Sequence, residues 1–450
     1  MAIKNRIKNY EKEMISVLAE LVAFNSVNET ATKDAPFGQT NKECLEKALT
    51  ICERYGLRST NLDNYIGYGE IGNGADIIGV LGHLDVVPAG EGWNSDPFEL
   101  TQVDRKLFGR GTSDDKGPVV AALFALKVLQ DEGYVFNKRV RLIMGSNEEM
   151  GSACLKHYVE KEGHFQYGFT PDAFFPGVFG EKGSIGGWFG HKSKIIDVAG
   201  GLAGNVVCNH CTIKVYKNDL NIDLFSQALS EKNLKFKITD INDTYQLDVY
   251  GIAAHASTPE QGVNAISFAM EALKKAGFVD DFVDLYNNLI GLKTDGSLCG
   301  IKLNDKYGSL TLNVGVIKKE DNNVLASLDI RVPITIDSQE VANSLKTAFS
   351  KYQAELTISR VSSPLFFEPN SPLVLSLLDA YQKVTHDYTS QPGTMGGGTY
   401  ARGINNCIGF GGVMQNDNNH MHDANEFIDI DRLLLQTEIY VQAIKNLCKL

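Results

Sequence analysis

Apolar residues recur every three or four positions over 5–24 and again over 41–56, where the pattern stops at Gly56. That period predicts two amphipathic helices. A continuous apolar run follows in "IIGVLGHLDVV" (77–87), then a helical stretch in "KGPVVAALFALKVLQDEG" (116–133). A second run, "RVRLIMGSNEE" (139–149), leads to a helix over 151–162 and a short strand over 168–176. Apolar runs alternating with helices predict an α/β sheet with parallel strands and helices on both faces. After "FGEKG" (179–183) the pattern shortens to alternating apolar and polar positions, as in "IKVYKNDL", "KFKITDINDTYQLDVYGIAAHAS" and "NNVLASLDIRVPIT", broken by Asn/Asp turns. Helical stretches over 262–277 and 338–353 lie between them. This is the pattern of an α+β domain with antiparallel strands. From 364 onward, "SPLVLSLLDAYQKVTHD", "NNCIGFGG" and "IDIDRLLLQTEIYVQAIKNL" return to long helices and a buried strand.

The simplest layout is one α/β domain, with a mixed, mostly parallel sheet flanked by helices, built from 1–183 and 364–450. Residues 184–363 are then inserted as an α+β domain. A chain of 450 residues suits two such cores. The formal charge of −12, and the lack of a dense Lys/Arg cluster, argue against a nucleic-acid partner. No apolar run approaches the roughly 18 residues of a membrane span. The charged first helix lacks the features of a signal peptide, so the expected location is the cytoplasm. Eight cysteines are expected to be free thiols there. Cys208 and Cys211 have the C-x-x-C spacing of a redox or zinc element, but no matching pair stands downstream.

Open α/β sheets present functional groups just beyond the carboxyl ends of their strands. His83 and Asp85 fall at such a place, as do Asp114 and Asp115 after "LFGRG", and Glu148 and Glu149 after "RVRLIMGSN". Asp172 follows "YGFTP", and His420 and His422 follow "CIGFGG". Singly, each has an ordinary reading. Asp114 and Asp115 could cap a helix, Glu148 and Glu149 could open one, and His83 could be a satisfied core histidine. Gathered at one sheet edge, the carboxylates repel and raise one another's pKa. Divalent metal resolves that conflict, with His83 as a ligand and Asp85 holding its other ring nitrogen. One bridging carboxylate, two further carboxylates and two histidines would hold two ions about 3.5–4 Å apart. Mixed nitrogen and oxygen donors suit Zn²⁺, with Mn²⁺ or Co²⁺ as alternatives. One acid is left over, and Glu148 could serve as general base towards a water.

The stretches "GHLDVVPAGEGW", "LFGRGTSDDKGP", "NEEMGS", "TPDAFFPGVFGEKG", "GIAAHASTPEQGVNA", "GGGTYARG" and "HMHDANEFI" occur in this order between residues 82 and 428. Together they resemble the di-metal aminoacylase/carboxypeptidase family of metallopeptidases, most closely its bacterial PepV-like dipeptidases. The resemblance implies that His83 and Asp172 bind one ion, Asp114 bridges, and Glu149 and His422 bind the other. It makes Asp85 the orienting partner of His83, Glu148 the general base, and His420 a bystander. His255 in "GIAAHAS" matches the histidine that stabilises the oxyanion. Asn205, Arg331 and Gly397 match positions that hold the substrate, Arg331 through its planar fork. One departure is Cys208-Asn209, where similar enzymes often carry a Pro-Asp pair. The inserted domain would act as a lid, the substrate would be a small peptide, and the chain would be a monomer rather than a dimer. A sister activity, hydrolysis of N-acyl amino acids, would use the same metal site. A non-catalytic binding module would be expected to lack the base or a ligand, and none is missing.

Overall fold

The computed structural model describes residues 2–414 and 417–450. The chain divides into two compact units. One comprises Met1–Gly180, Phe367–Thr394 and Gly398–Leu450, and the other Glu181–Phe366 with Met395–Gly397.

The first unit is built on a mixed sheet flanked by helices. Its strands run in the order Arg58–Leu62, Ile66–Ile71, Arg139–Gly145, Ile77–His83, Tyr167–Thr170, Cys407–Gly409 and Val178–Glu181. Pairing is parallel among the middle four and antiparallel outside them. The central strands are continuous apolar runs because both faces are covered. One covering helix, Lys116–Asp131, is buried at nearly every position, which explains why its sequence is apolar all round rather than along one stripe. The predicted helix over 5–24 is two helices, Ala2–Asn9 and Glu11–Val22. They meet at Tyr10, whose amide bonds the carbonyl of Ile7, three residues back, in a tightened turn.

The register matters for function. His83 pairs with Gly145 in the parallel ladder, so both strands end at the same edge. The predicted runs over 77–87 and 139–149 therefore stop four residues early. The loops that follow carry the acids.

The second unit is an antiparallel sheet with helices, the α+β pattern. Its strand order is Phe236–Ile241, Thr244–Tyr250, His210–Tyr216, Asp197–Gly200, Ile317–Glu320, Asn323–Val332, Gly183–Lys192 and Glu355–Ser362. Helices Ile222–Ser230, Ala265–Lys275, Asp281–Leu289 and Ser338–Ser350 pack their apolar faces onto it through Phe225, Met270, Phe282 and Leu345. Cys208 and Cys211 belong to this core. The Cys208 thiol donates to the carbonyl of His210, and both cysteines are free. Among the described residues, no helix is long and apolar enough to cross a membrane.

Candidate active site

His83 ends its strand with its imidazole fully buried. Its Nδ1 lies 2.9 Å from the backbone carbonyl of Asp85, a pure acceptor, so Nδ1 carries a proton. Nε2 is thereby turned towards Asp114 Oδ1 at 3.0 Å and Asp172 Oδ2 at 3.9 Å. This is the ring orientation a metal ligand needs. The expected contact from the Asp85 carboxylate is looser, at 3.6 Å from Nδ1. Those oxygens are engaged elsewhere, accepting the backbone N–H groups of Glu148 at 2.9 Å and Glu149 at 3.1 Å. Asp85 thus orients His83 through its main chain and holds the Glu148–Glu149 loop through its side chain.

Asp114 lies between the two histidines. Its second oxygen is 2.8 Å from His422 Nε2, and that nitrogen is 3.2 Å from Glu149 Oε1. Ligand atoms of His83, Asp114 and Glu149 lie within 4.8 Å of one another, as do those of His83, Glu148 and Asp172. His420 is in neither group and packs near the Phe427 ring. Asp115 occupies the N-cap position of helix Lys116–Asp131 but makes no cap bond. Its buried carboxylate accepts the backbone N–H of His83 instead. Nor do Glu148 and Glu149 open a helix, since the next one begins at Ala153.

The electrostatics follow from this crowding. Burial, reinforced by Glu149, Asp85 and Asp114 and opposed by His83, pushes Glu148 up to about 8. Burial and the charges of Asp114 and Glu148 push Asp172 well above the usual carboxylate range. Asp114 goes the other way: despite burial, hydrogen bonds from His422 and His83 hold it low. His422 is raised to about 10 by Asp114 and Glu149. A set of carboxylates that cannot all ionise together, with two imidazole nitrogens turned into it, fits divalent cations.

A second group of residues holds the loops. Glu426, fully buried, accepts from Arg110 Nη1 at 2.6 Å, and from the backbone N–H groups of Gly111, Ser113 and Asp114 at 3.1, 2.8 and 3.2 Å. Arg110 also reaches the carbonyls of Pro88 and Ala89 at 3.4 Å. One ion pair therefore ties together the segments bearing His83, Asp114 and His422. Sequence reading missed it: Arg110 stands inside "GRGT" and Glu426 inside "HDANE", and only the fold joins them. Tyr400, also buried, sets its ring edge-on to His83 at 6.2 Å and meets Cys154 Sγ at 2.8 Å.

The remaining predicted residues lie in the second unit. Arg331 is buried and held by Asp329 through Nε at 2.7 Å and Nη2 at 3.1 Å, and its Nη1 donates to the Gly396 carbonyl at 3.2 Å. Of its five N–H groups, two have no hydrogen bond among the described residues. Asn205 is exposed on a loop whose neighbouring carbonyls, Gly204 and Val206, both accept from Asn313 at 3.0 Å. His255 pairs across an isolated bridge with Val206, and the Asn205 carbonyl accepts from Ala256 N–H at 2.9 Å. Gly397 sits in the Met395–Gly397 segment with these residues. Asp329, two residues before Arg331 and on the same strand face, was legible in "DIRVP" as its partner.

A mixed sheet that gathers carboxylates, a buried histidine and a half-exposed one at its carboxyl edge is the arrangement that suits a metal-dependent hydrolase. Comparison with known proteins makes this particular. Peptidase family M20/M25/M40 matches over residues 79–446. The chain is 32% identical over 465 residues to a protein of Staphylococcus aureus strain USA300 provisionally named a dipeptidase, covering 99% of each. Among solved structures, human carnosine dipeptidase 1 aligns with a TM-score of 0.63 at 16% identity, covering 100% of this chain and 98% of that one. The M20 family metallo-carboxypeptidase Sso-CP2 from Sulfolobus solfataricus aligns with a TM-score of 0.62 at 19% identity, covering 97% and 100%. The chain belongs to peptidase family M20/M25/M40. It is a hydrolase of the metallopeptidase kind.

Proposed function

We propose that this metallopeptidase is a dipeptidase. The observation that carries the reading is the convergence of His83, Asp114, Glu148, Glu149, Asp172 and His422 at one sheet edge, together with the dipeptidase name of its full-length relative. His83, Asp172 and Asp114 would hold one divalent ion, and Asp114, Glu149 and His422 the other. When bound, the ions supply Lewis acidity to the scissile carbonyl and acidify a water. Glu148 takes that water's proton on its carboxylate and passes it to the leaving amine nitrogen. Its buried position among other acids favours holding the proton between the two transfers. His255 donates to the oxygen that gains charge as the carbonyl is attacked. Arg331, with Asn205 and the Gly397 segment, receives the substrate's free carboxylate and so limits length on that side. The inserted unit acts as the lid, and Zn²⁺ is the first choice of metal, with Mn²⁺ or Co²⁺ as alternatives.

The test is amino-acid release from Ala-Ala and Leu-Gly, set against tripeptides and N-acetyl amino acids, on chelator-stripped protein with Zn²⁺ or Mn²⁺ restored. Metal-dependent cleavage of dipeptides above the other two sets is expected. Cleavage confined to the acetylated set would assign the sister deacylase activity instead, and no turnover with any metal would remove the enzymatic reading.

Metal uptake should also release protons. In the metal-free protein His83 Nε2 and His422 Nε2 both face Asp114, so each carries a proton that an ion must displace. At least two protons should leave per chain near neutral pH, and apparent affinity should rise between about pH 6 and 9. Calorimetric titration in buffers of differing ionisation heat measures the number. Fewer than one proton per chain would mean these nitrogens are not the ligand atoms.

A further inference from the structure

The His255 loop contains a feature that the proposed reaction does not explain. His255 Nδ1 lies 2.7 Å from the hydroxyl of Ser257, and the backbone N–H of Ser257 points at the same nitrogen from 3.2 Å. A ring nitrogen that accepts from a backbone N–H cannot itself bear a proton, because the amide has no acceptor to offer. The hydroxyl must then donate as well. A neutral His255 is left with its proton on Nε2. The far side of the ring becomes a hydrogen-bond donor and the near side is locked.

The surroundings leave Ser257 little room to move. A Cβ added to Gly396 would come within 2.4 Å of Ser257 Cβ and 3.0 Å of its Oγ, so the residue facing Ser257 has to be glycine. The carbonyl of that glycine is the one held by Arg331 Nη1 at 3.2 Å. On the other side, Thr311 Oγ1 donates to the Ala256 carbonyl at 3.2 Å, and Ala256 N–H is bonded to Asn205. The His255 ring and the Arg331 fork are therefore both referred to the Ser257–Gly396 contact, within one unit of the protein.

We propose that Ser257 is a positioning residue for the hydrolysis: it fixes the Nε2–H tautomer and the ring rotation of His255, so that a donor faces the developing oxyanion. This rests on the oxyanion role assigned to His255 above. The chemistry is consistent with the need for a donor rather than a lone pair at that place, since a misdirected tautomer would set an acceptor against an anion. Because the effect arises only as charge develops, it belongs in kcat rather than in KM.

The test combines spectroscopy with kinetics on the full-length, metal-loaded chain. Long-range ¹⁵N–¹H correlation of protein labelled at its histidines reads the tautomer, with the His255 signal assigned by its loss in His255→Gln. Wild type should show a single Nε2–H form. Ser257→Ala keeps only the longer amide contact of 3.2 Å, so the ring can turn off it. The variant should show a mixture of tautomers, with kcat lowered about tenfold and KM within about twofold on a dipeptide. Ser257→Thr keeps the hydroxyl and should restore both readouts. A wild-type Nδ1–H form overturns the proposal, and so does a Ser257→Ala variant unchanged in tautomer and kcat. A loss of kcat in Ser257→Ala with the tautomer intact and no rescue by Thr would reduce Ser257 to a packing role, and also overturns it. Failure of the underlying reading looks different: His255→Ala, which leaves no side-chain donor, would keep full kcat whatever the tautomer of wild type.

Discussion

Glu148→Gln is expected to lower dipeptide turnover by about 10²–10⁴-fold, which is about 3–5 kcal/mol of barrier, with two ions per chain still bound. Glutamine has the same shape but cannot accept a proton from water. The loop should survive the change, because Asp85 holds residue 148 by its backbone N–H and not by its side chain. Steady-state kinetics with metal analysis on the same sample distinguishes base from ligand. Glu148 lies close enough to His83 and Asp172 to be a ligand instead. In that case the variant would lose an ion and recover activity at high metal. Glu149→Gln is the contrast: it should lose an ion, because its carboxylate faces His422 Nε2.

Glu426→Ala is expected to cost about 3–5 kcal/mol of stability and to abolish tight metal binding at once. The substitution strands the buried Arg110 guanidinium. It also leaves three backbone N–H groups, at Gly111, Ser113 and Asp114, without their acceptor. An ordinary buried ion pair can often be replaced by apolar residues without loss. Here Arg110→Met with Glu426→Leu should recover only part of the stability, since no apolar side chain satisfies the amides. Chemical denaturation of the metal-free proteins measures the stabilities without interference from bound ions, and metal titration of folded Glu426→Ala measures the binding. Full recovery in the double variant would mean that the three amide bonds contribute little. Tight metal binding by Glu426→Ala would show that the Asp114 loop holds its shape unaided.

Much of the first unit was legible because its signals are local or periodic. Strands buried on both faces read as apolar runs, and helices between them read by their spacing. The place of the acids followed from the rule that such sheets work at their carboxyl edge. The register turned that rule into geometry, since His83 and Gly145 end side by side and the acids of 148 and 149 follow within four residues. Where sequence reading fell short, the missing information was the partner. Asp115 has the form of an N-cap, yet it bonds the His83 amide, which lies 32 residues away in the chain. Asp85 has the form of a histidine's carboxylate partner, yet its oxygens go chiefly to the loop after another strand.

The sequence by itself determined the fold class, a mixed α/β sheet with an α+β insertion, because that depends on the periodicity of apolar positions. It did not show that Met395–Gly397 belongs with the second unit, since three residues carry no periodic signal. Only the tertiary structure decided which polar groups satisfy one another. Arg110 and Glu426 are 316 positions apart, and Arg331 meets Gly396 across 65. A buried donor requires an acceptor, but no spacing rule says from which distant loop it will come. His255 and Ser257 lie between these limits. Their separation of two is plain in "HAS", and the backbone conformation that brings an amide and a hydroxyl to the same ring nitrogen appears only in the folded loop.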